Sequence, residues 1–142
     1  MNELRQRAIR LLARREYGRT ELARKLAAHA TQEEIVNVLA QLETEGLLSD
    51  ARAAGAYVRA HGARFGAARL RQDLRIRGLD PELATAEVSE LGTELERARA
   101  VWTKKFDTVP ADAREWARQA RFLQGRGFSV DVIRRLLKES NE

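Results

Sequence analysis

The chain has 142 residues, 44% of them apolar and 33% charged, enough apolar surface to bury a core and too little Pro, Gly and Ser for a disordered linker. It holds no cysteine, which excludes disulfide staples, thiolate metal sites and cysteine nucleophiles, and a cytoplasmic location is expected. The net charge of +5 is unevenly spread: +5 over residues 1–30, −5 over 31–50, +6 over 51–79, −6 over 80–96 and +5 over 97–142, so that a basic face can meet a polyanion while acidic helices point elsewhere.

Met1 to Leu12 intersperses charged with apolar residues instead of setting a charged stub before an unbroken apolar run, so neither a secretory leader nor a membrane anchor is expected. Leu4, Ala8, Leu11 and Leu12 recur at spacings of three and four, which predicts a helix near 2–16 with Arg7, Arg10 and Arg14 in a row along it. Leu22 and Leu26 mark a second helix near 20–29. Thr31 followed by Glu34 is a capping-box pattern that opens a third near 32–45, carrying Ile35, Val38, Leu39 and Leu42 inward. A fourth and fifth are expected near 50–61 and 66–77. Asp80 and Pro81, an N-cap and a first-turn proline, open a sixth near 81–91. Thr93 with Glu96 repeats the capping box for a seventh near 94–106; an eighth follows near 112–125, and Ser129 caps a ninth near 130–139. Gly46, Gly62, Gly78 and Gly127 each follow a helical run, where left-handed backbone ends a helix. No segment alternates at period two, so the fold class is all-α.

The helices repeat in groups. A shift of 48 places Gly18, Leu22, Leu26 and Ile35 on Gly66, Leu70, Leu74 and Leu83, and a further shift of 49 places Leu74, Gly78 and Leu83 on Leu123, Gly127 and Val132. Three tandem three-helix repeats follow, over 1–48, 49–92 and 93–142, sharing a continuous core and stacked into an elongated, curved rod. The third copy matches less well, because Leu70 aligns with Gln119.

His29 and His61 are the only histidines, and neither has a second ligand at metal-binding spacing. The glycines around Gly62–Gly66 and Gly125–Gly127 lack the Gly-Lys-Ser/Thr ending and the third glycine that nucleotide loops need. No cofactor, metal site or catalytic residue is expected, and the chain does not read as an enzyme. The arginines are more informative. Arg71 and Arg75 stand four apart on the predicted fifth helix, Arg69 and Arg77 flank them and Arg64 precedes them. Such guanidinium groups pair with phosphates or with partner carboxylates; the alternative is that the acidic third and sixth helices neutralise them within the chain. Tyr17 and Phe65, each just before a glycine that opens a repeat's second helix, are expected to plug the core, with Tyr57 another core candidate. Burial is also expected of Trp102 and Trp116; exposure of either would point to a partner contact.

The segment from Gly46 to Asp80 resembles the signature region of the RecX family, through Gly46-Leu47-Leu48-Ser49-Asp50, Ala56-Tyr57-Val58, Gly66, Arg69-Leu70, Asp73-Leu74 and Gly78. Ala8 to Leu12, Tyr17, Thr20-Glu21-Leu22 and Lys25-Leu26 extend the resemblance upstream. Phe122-Leu123, Arg126-Gly127-Phe128 and Val132-Ile133 carry it weakly into the third repeat. The resemblance implies a monomeric regulator that lodges in the groove of the RecA–single-stranded DNA filament, restrains it, and touches single-stranded and also double-stranded DNA without sequence preference. The residues expected at that contact are Arg64, Arg69, Arg71, Arg75 and Arg77, with Arg7, Arg10 and Arg14 behind them. Two other readings stay open: a stand-alone helix-turn-helix DNA-binding module, and a helical-repeat scaffold that ignores nucleic acid.

Overall fold

The computed structural model describes residues 3–140, with side chains through Lys138. Asn2, where the sequence pattern starts the first helix, lies outside the described residues. Nine α-helices and no strand are found among them: α1 (Glu3–Arg14), α2 (Arg19–Leu26), α3 (Gln32–Thr44), α4 (Asp50–His61), α5 (Ala67–Ile76), α6 (Pro81–Ser89), α7 (Glu94–Lys105), α8 (Ala113–Gly125) and α9 (Val130–Ser140). None is long and apolar enough to cross a membrane.

The helix starts follow the capping chemistry. Thr31 Oγ1 accepts from the Glu34 amide while Glu34 accepts from the Thr31 amide, a complete capping box; these hydrogen bonds hold the Glu34 carboxyl below its usual range. Asp80 accepts from Glu82 N at the head of α6, and Ser129 accepts from Val132 N at the head of α9. Thr93 accepts from Glu96 N. The stops are less uniform. Gly46, Gly78 and Gly127 take the left-handed backbone as expected, but Gly62 does not: it caps α4 after His61 with φ of −63°, its amide bonded to Val58 O.

Three successive units result, α1–α3, α4–α6 and α7–α9, with the closest helix packing inside each. Each has its own core, against the expectation of a continuous one. The first gathers Leu22, Leu26, Leu39 and Leu42, the second Val58, Leu70, Leu74 and Leu79, and the third Trp102, Leu123, Leu136 and Leu137. The chain exposes 8778 Å², against roughly 7,400 Å² for a compact monomer of its mass, as an elongated rod should.

The units are fastened by one joint used twice. Gly18, which precedes α2, fits beneath Leu79 of the next unit, where a Cβ would be 2.8 Å from Leu79 Cδ2. Gly66, which precedes α5, fits against Gly127 and Phe128, and its amide donates to Arg126 O at 2.8 Å. In both, a bare glycine lets the start of one unit's second helix meet the turn after the next unit's second helix. Polar contacts reinforce each joint. Arg19 N donates to Asp50 at 2.7 Å, and Arg52 pairs with Glu16 at 2.8 Å. At the second joint Arg97 donates to Phe65 O at 2.7 Å and Gly62 O at 3.2 Å.

Candidate partner and nucleic-acid interface

The five arginines expected in the central unit do not form one outward row. At about 100° per residue, Arg69 lies roughly 160° around α5 from Arg71, and Arg77 stands just past the helix end. Arg69 lies 3.6 Å from the Asp73 carboxylate and sits over the Phe65 ring, 4.2 Å from its centroid. Arg77 lies over Tyr57 at 4.3 Å and faces Glu21 of the first unit at 3.7 Å. Tyr57 donates to Asp73 at 2.5 Å, and burial together with that carboxylate pushes its hydroxyl pKa up to about 12. These two arginines therefore serve partly as internal struts, although pairs this exposed are each worth no more than about 1 kcal/mol.

Arg71 and Arg75 differ. They share the other flank of α5, both exposed, and among the described residues no carboxylate, ring or side-chain hydrogen bond holds either one. The row on α1 is also intact: Arg7, Arg10 and Arg14 fall within about 60° of arc, exposed and likewise unpaired. At the end of the acidic α3, Glu43 pairs with Arg19, and the capping Glu45 pairs with Arg5. Internal neutralisation thus accounts for Arg69 and Arg77 and leaves the other six of the eight expected contact arginines without an acidic partner among the described residues; of these six, Arg64 meets the His61 ring at 3.0 Å. Burial and the neighbouring Arg64 charge both depress the His61 pKa.

The aromatic expectations divide in the same way. Tyr17 is buried, with Arg15 over its ring at 3.7 Å. Phe65 and Tyr57 are only half-buried, and Phe65 is surrounded by the guanidinium groups of Arg64, Arg69 and Arg126. Trp102 is buried, but Trp116, in the first turn of α8, is 37% exposed. Arg126, which enters the sequence reading only through the family resemblance and not among the contact arginines, is carried from the third unit to the Phe65 ring of the second by the folded joint.

Family models described as the first, second and third three-helix domains of RecX match residues 5–42, 49–86 and 93–137. The chain belongs to the RecX family. It is 50% identical over 137 residues to a Regulatory protein RecX from Leptothrix cholodnii, covering 95% of this chain and 87% of that one. To the protein of that name from Chromobacterium violaceum it is 45% identical, over 94% of this chain and 88% of the other. The crystal structure of RecX from Lactobacillus salivarius superposes with a TM-score of 0.82 at 20% identity, covering 98% of this chain and 95% of that one. The RecX relatives are named as regulators, and membership of that family supports a regulatory role for this chain.

Proposed function

We propose that this RecX-family chain is a negative regulator of the RecA recombinase. It binds the RecA–single-stranded DNA filament, lies in its helical groove as a cytoplasmic monomer, and limits filament extension, ATP turnover and the recombinase and co-protease activities. DNA, single- or double-stranded, is touched through its phosphates without base preference. The observation that carries this reading is the pair of unclaimed guanidinium sets, Arg7, Arg10 and Arg14 on α1 and Arg71 and Arg75 on α5, spaced along a rod. Groups already desolvated by internal acids have little left to give a partner; unclaimed ones can replace counterions on a phosphate chain or pair with acidic recombinase surface. Their charge governs approach and orientation more than final affinity. The chain breaks no bond in this mechanism, and ATP turnover belongs to RecA.

The test is RecA's DNA-dependent ATPase with and without the protein, on preformed filaments and on filaments still assembling. Inhibition in both, stronger during assembly and weakened by added salt, is expected. Sequence-specific binding to naked duplex with no effect on RecA would overturn the proposal in favour of a stand-alone DNA-binding module.

A further inference from the structure

Where the second and third units meet, a cleft of about 470 Å³ opens between the α4–α5 turn, α7 and the end of α8. Its floor is apolar, made by Ala63, Ala100, Val101 and Phe122. Its rim carries Arg64, Lys104, Lys105 and Arg126, and none of its lining residues is acidic. The Arg126 guanidinium bridges the joint, 5.7 Å from the Phe65 ring centroid and 5.0 Å from that of Phe122. Lys105 Nζ lies 5.2 Å from the Phe122 ring, which meets Phe106 edge to face at 5.4 Å. Among the described residues no carboxylate pairs with any of the four rim cations. This arrangement combines an apolar floor with concentrated positive charge that no carboxylate among the described residues offsets.

We propose that the cleft receives a short acidic peptide segment of a partner protein, anchored by one large apolar side chain. The volume falls in the range of small-ligand pockets, about 300–1,000 Å³, and an aliphatic or aromatic side chain seated on Ala100, Val101 and Phe122 needs no hydrogen-bond partner there. Carboxylates on either side of the anchor then meet the rim cations, whose field also steers the approach. A nucleobase fits less well. Its edges carry donors as well as acceptors, and the lining offers cationic donors and apolar groups but no side-chain acceptor for the base's own N–H groups. The cleft is separate from the Arg71 and Arg75 flank of α5, so this inference stands or falls apart from the filament reading.

The experiment uses the full chain and a fluorescein-labelled octapeptide of aspartates and glutamates around one central leucine, followed by anisotropy. Saturable binding is expected, weakened about tenfold by Lys104→Glu with Lys105→Glu, and by a similar factor when Ala100→Trp fills the cleft or when the peptide's leucine becomes serine. All three substituted positions are exposed, so the fold tolerates the changes. The Arg71→Glu, Arg75→Glu variant should bind the peptide as the unaltered chain does. Equal binding of the leucine and serine peptides, or no saturable binding, would overturn the proposal. So would a labelled oligothymidylate whose affinity falls with Ala100→Trp while the peptide's does not, which assigns the cleft to nucleic acid.

Discussion

Gly66→Ala is expected to loosen the third unit from the second and to cost about 1–3 kcal/mol, the usual range for forcing a methyl group into packed surroundings. A Cβ at this position would overlap the carbonyl group of Gly127 and lie 2.5 Å from Phe128 N. Those are backbone atoms, which cannot rotate away as a side chain does. Relief requires the two units to part, and the bond from Gly66 N to Arg126 O at 2.8 Å then lengthens with them. Because each unit has its own core, the parted units need not unfold. Urea unfolding should therefore begin earlier and broaden, and small-angle scattering should report a longer, more variable rod. Gly127→Ala should do at least as much harm, since its φ of +94° is strained for any side chain and its Cβ would collide with Arg69. An unchanged urea midpoint in both variants would mean that the joint is not what fixes the rod.

Gln119→Leu is expected to destabilise the third unit by about 2 kcal/mol, although it places a larger apolar group in a buried site. Gln119 is 1% exposed. Its carbonyl accepts from Trp102 Nε1 at 2.7 Å, and its amide donates to Thr108 O at 2.9 Å and to Glu115 Oε1 at 3.2 Å. Leucine would strand the indole N–H and release the loop between α7 and α8, which turns through Asp107 with φ of 52°. Trp102→Phe removes the other partner, so the double variant should be less destabilised than the two single costs added together. That coupling should amount to about 1–2 kcal/mol in a double-mutant cycle of unfolding free energies. Strict additivity would show that the pair does not act as a unit.

Gln119 also explains where the sequence pattern ran thin. The repeat puts it in the place of Leu70, and a polar residue there looks like a failed match until Trp102 is found facing it from α7. The position buries a side chain held by a hydrogen bond instead of an apolar one, which no period in the sequence records. Helix starts were easier to read, because Thr31, Asp80, Thr93 and Ser129 act on amides two or three residues away, and local chemistry of that range is visible in a string of letters. Gly62 does follow the last residue of α4, as its position suggests, but it caps the helix with right-handed backbone, its amide bonded to Val58 O, so a glycine after a helical run marks the stop without fixing its conformation. The arginines of the central unit were legible as a group but not as a surface. Arg69 and Arg77 turn toward Asp73, Tyr57 and Glu21, partners that lie on other turns, another helix or another unit, whereas Arg71 and Arg75 meet none. The Arg64, Lys104, Lys105 and Arg126 rim had no local trace at all, since residues about 40 and 60 positions apart come together only through the glycine joint.

The central claim is that unclaimed arginines on the rod, rather than those bound internally, engage the RecA filament. It is tested most directly by titrating the Arg71→Glu, Arg75→Glu variant against RecA's single-stranded-DNA-dependent ATPase, with helix content and thermal midpoint measured on the same sample. Inhibition weakened about tenfold or more by reversing two phosphate- or carboxylate-facing charges, at unaltered helicity and midpoint, is the result predicted. Full inhibition by a folded double variant would contradict it.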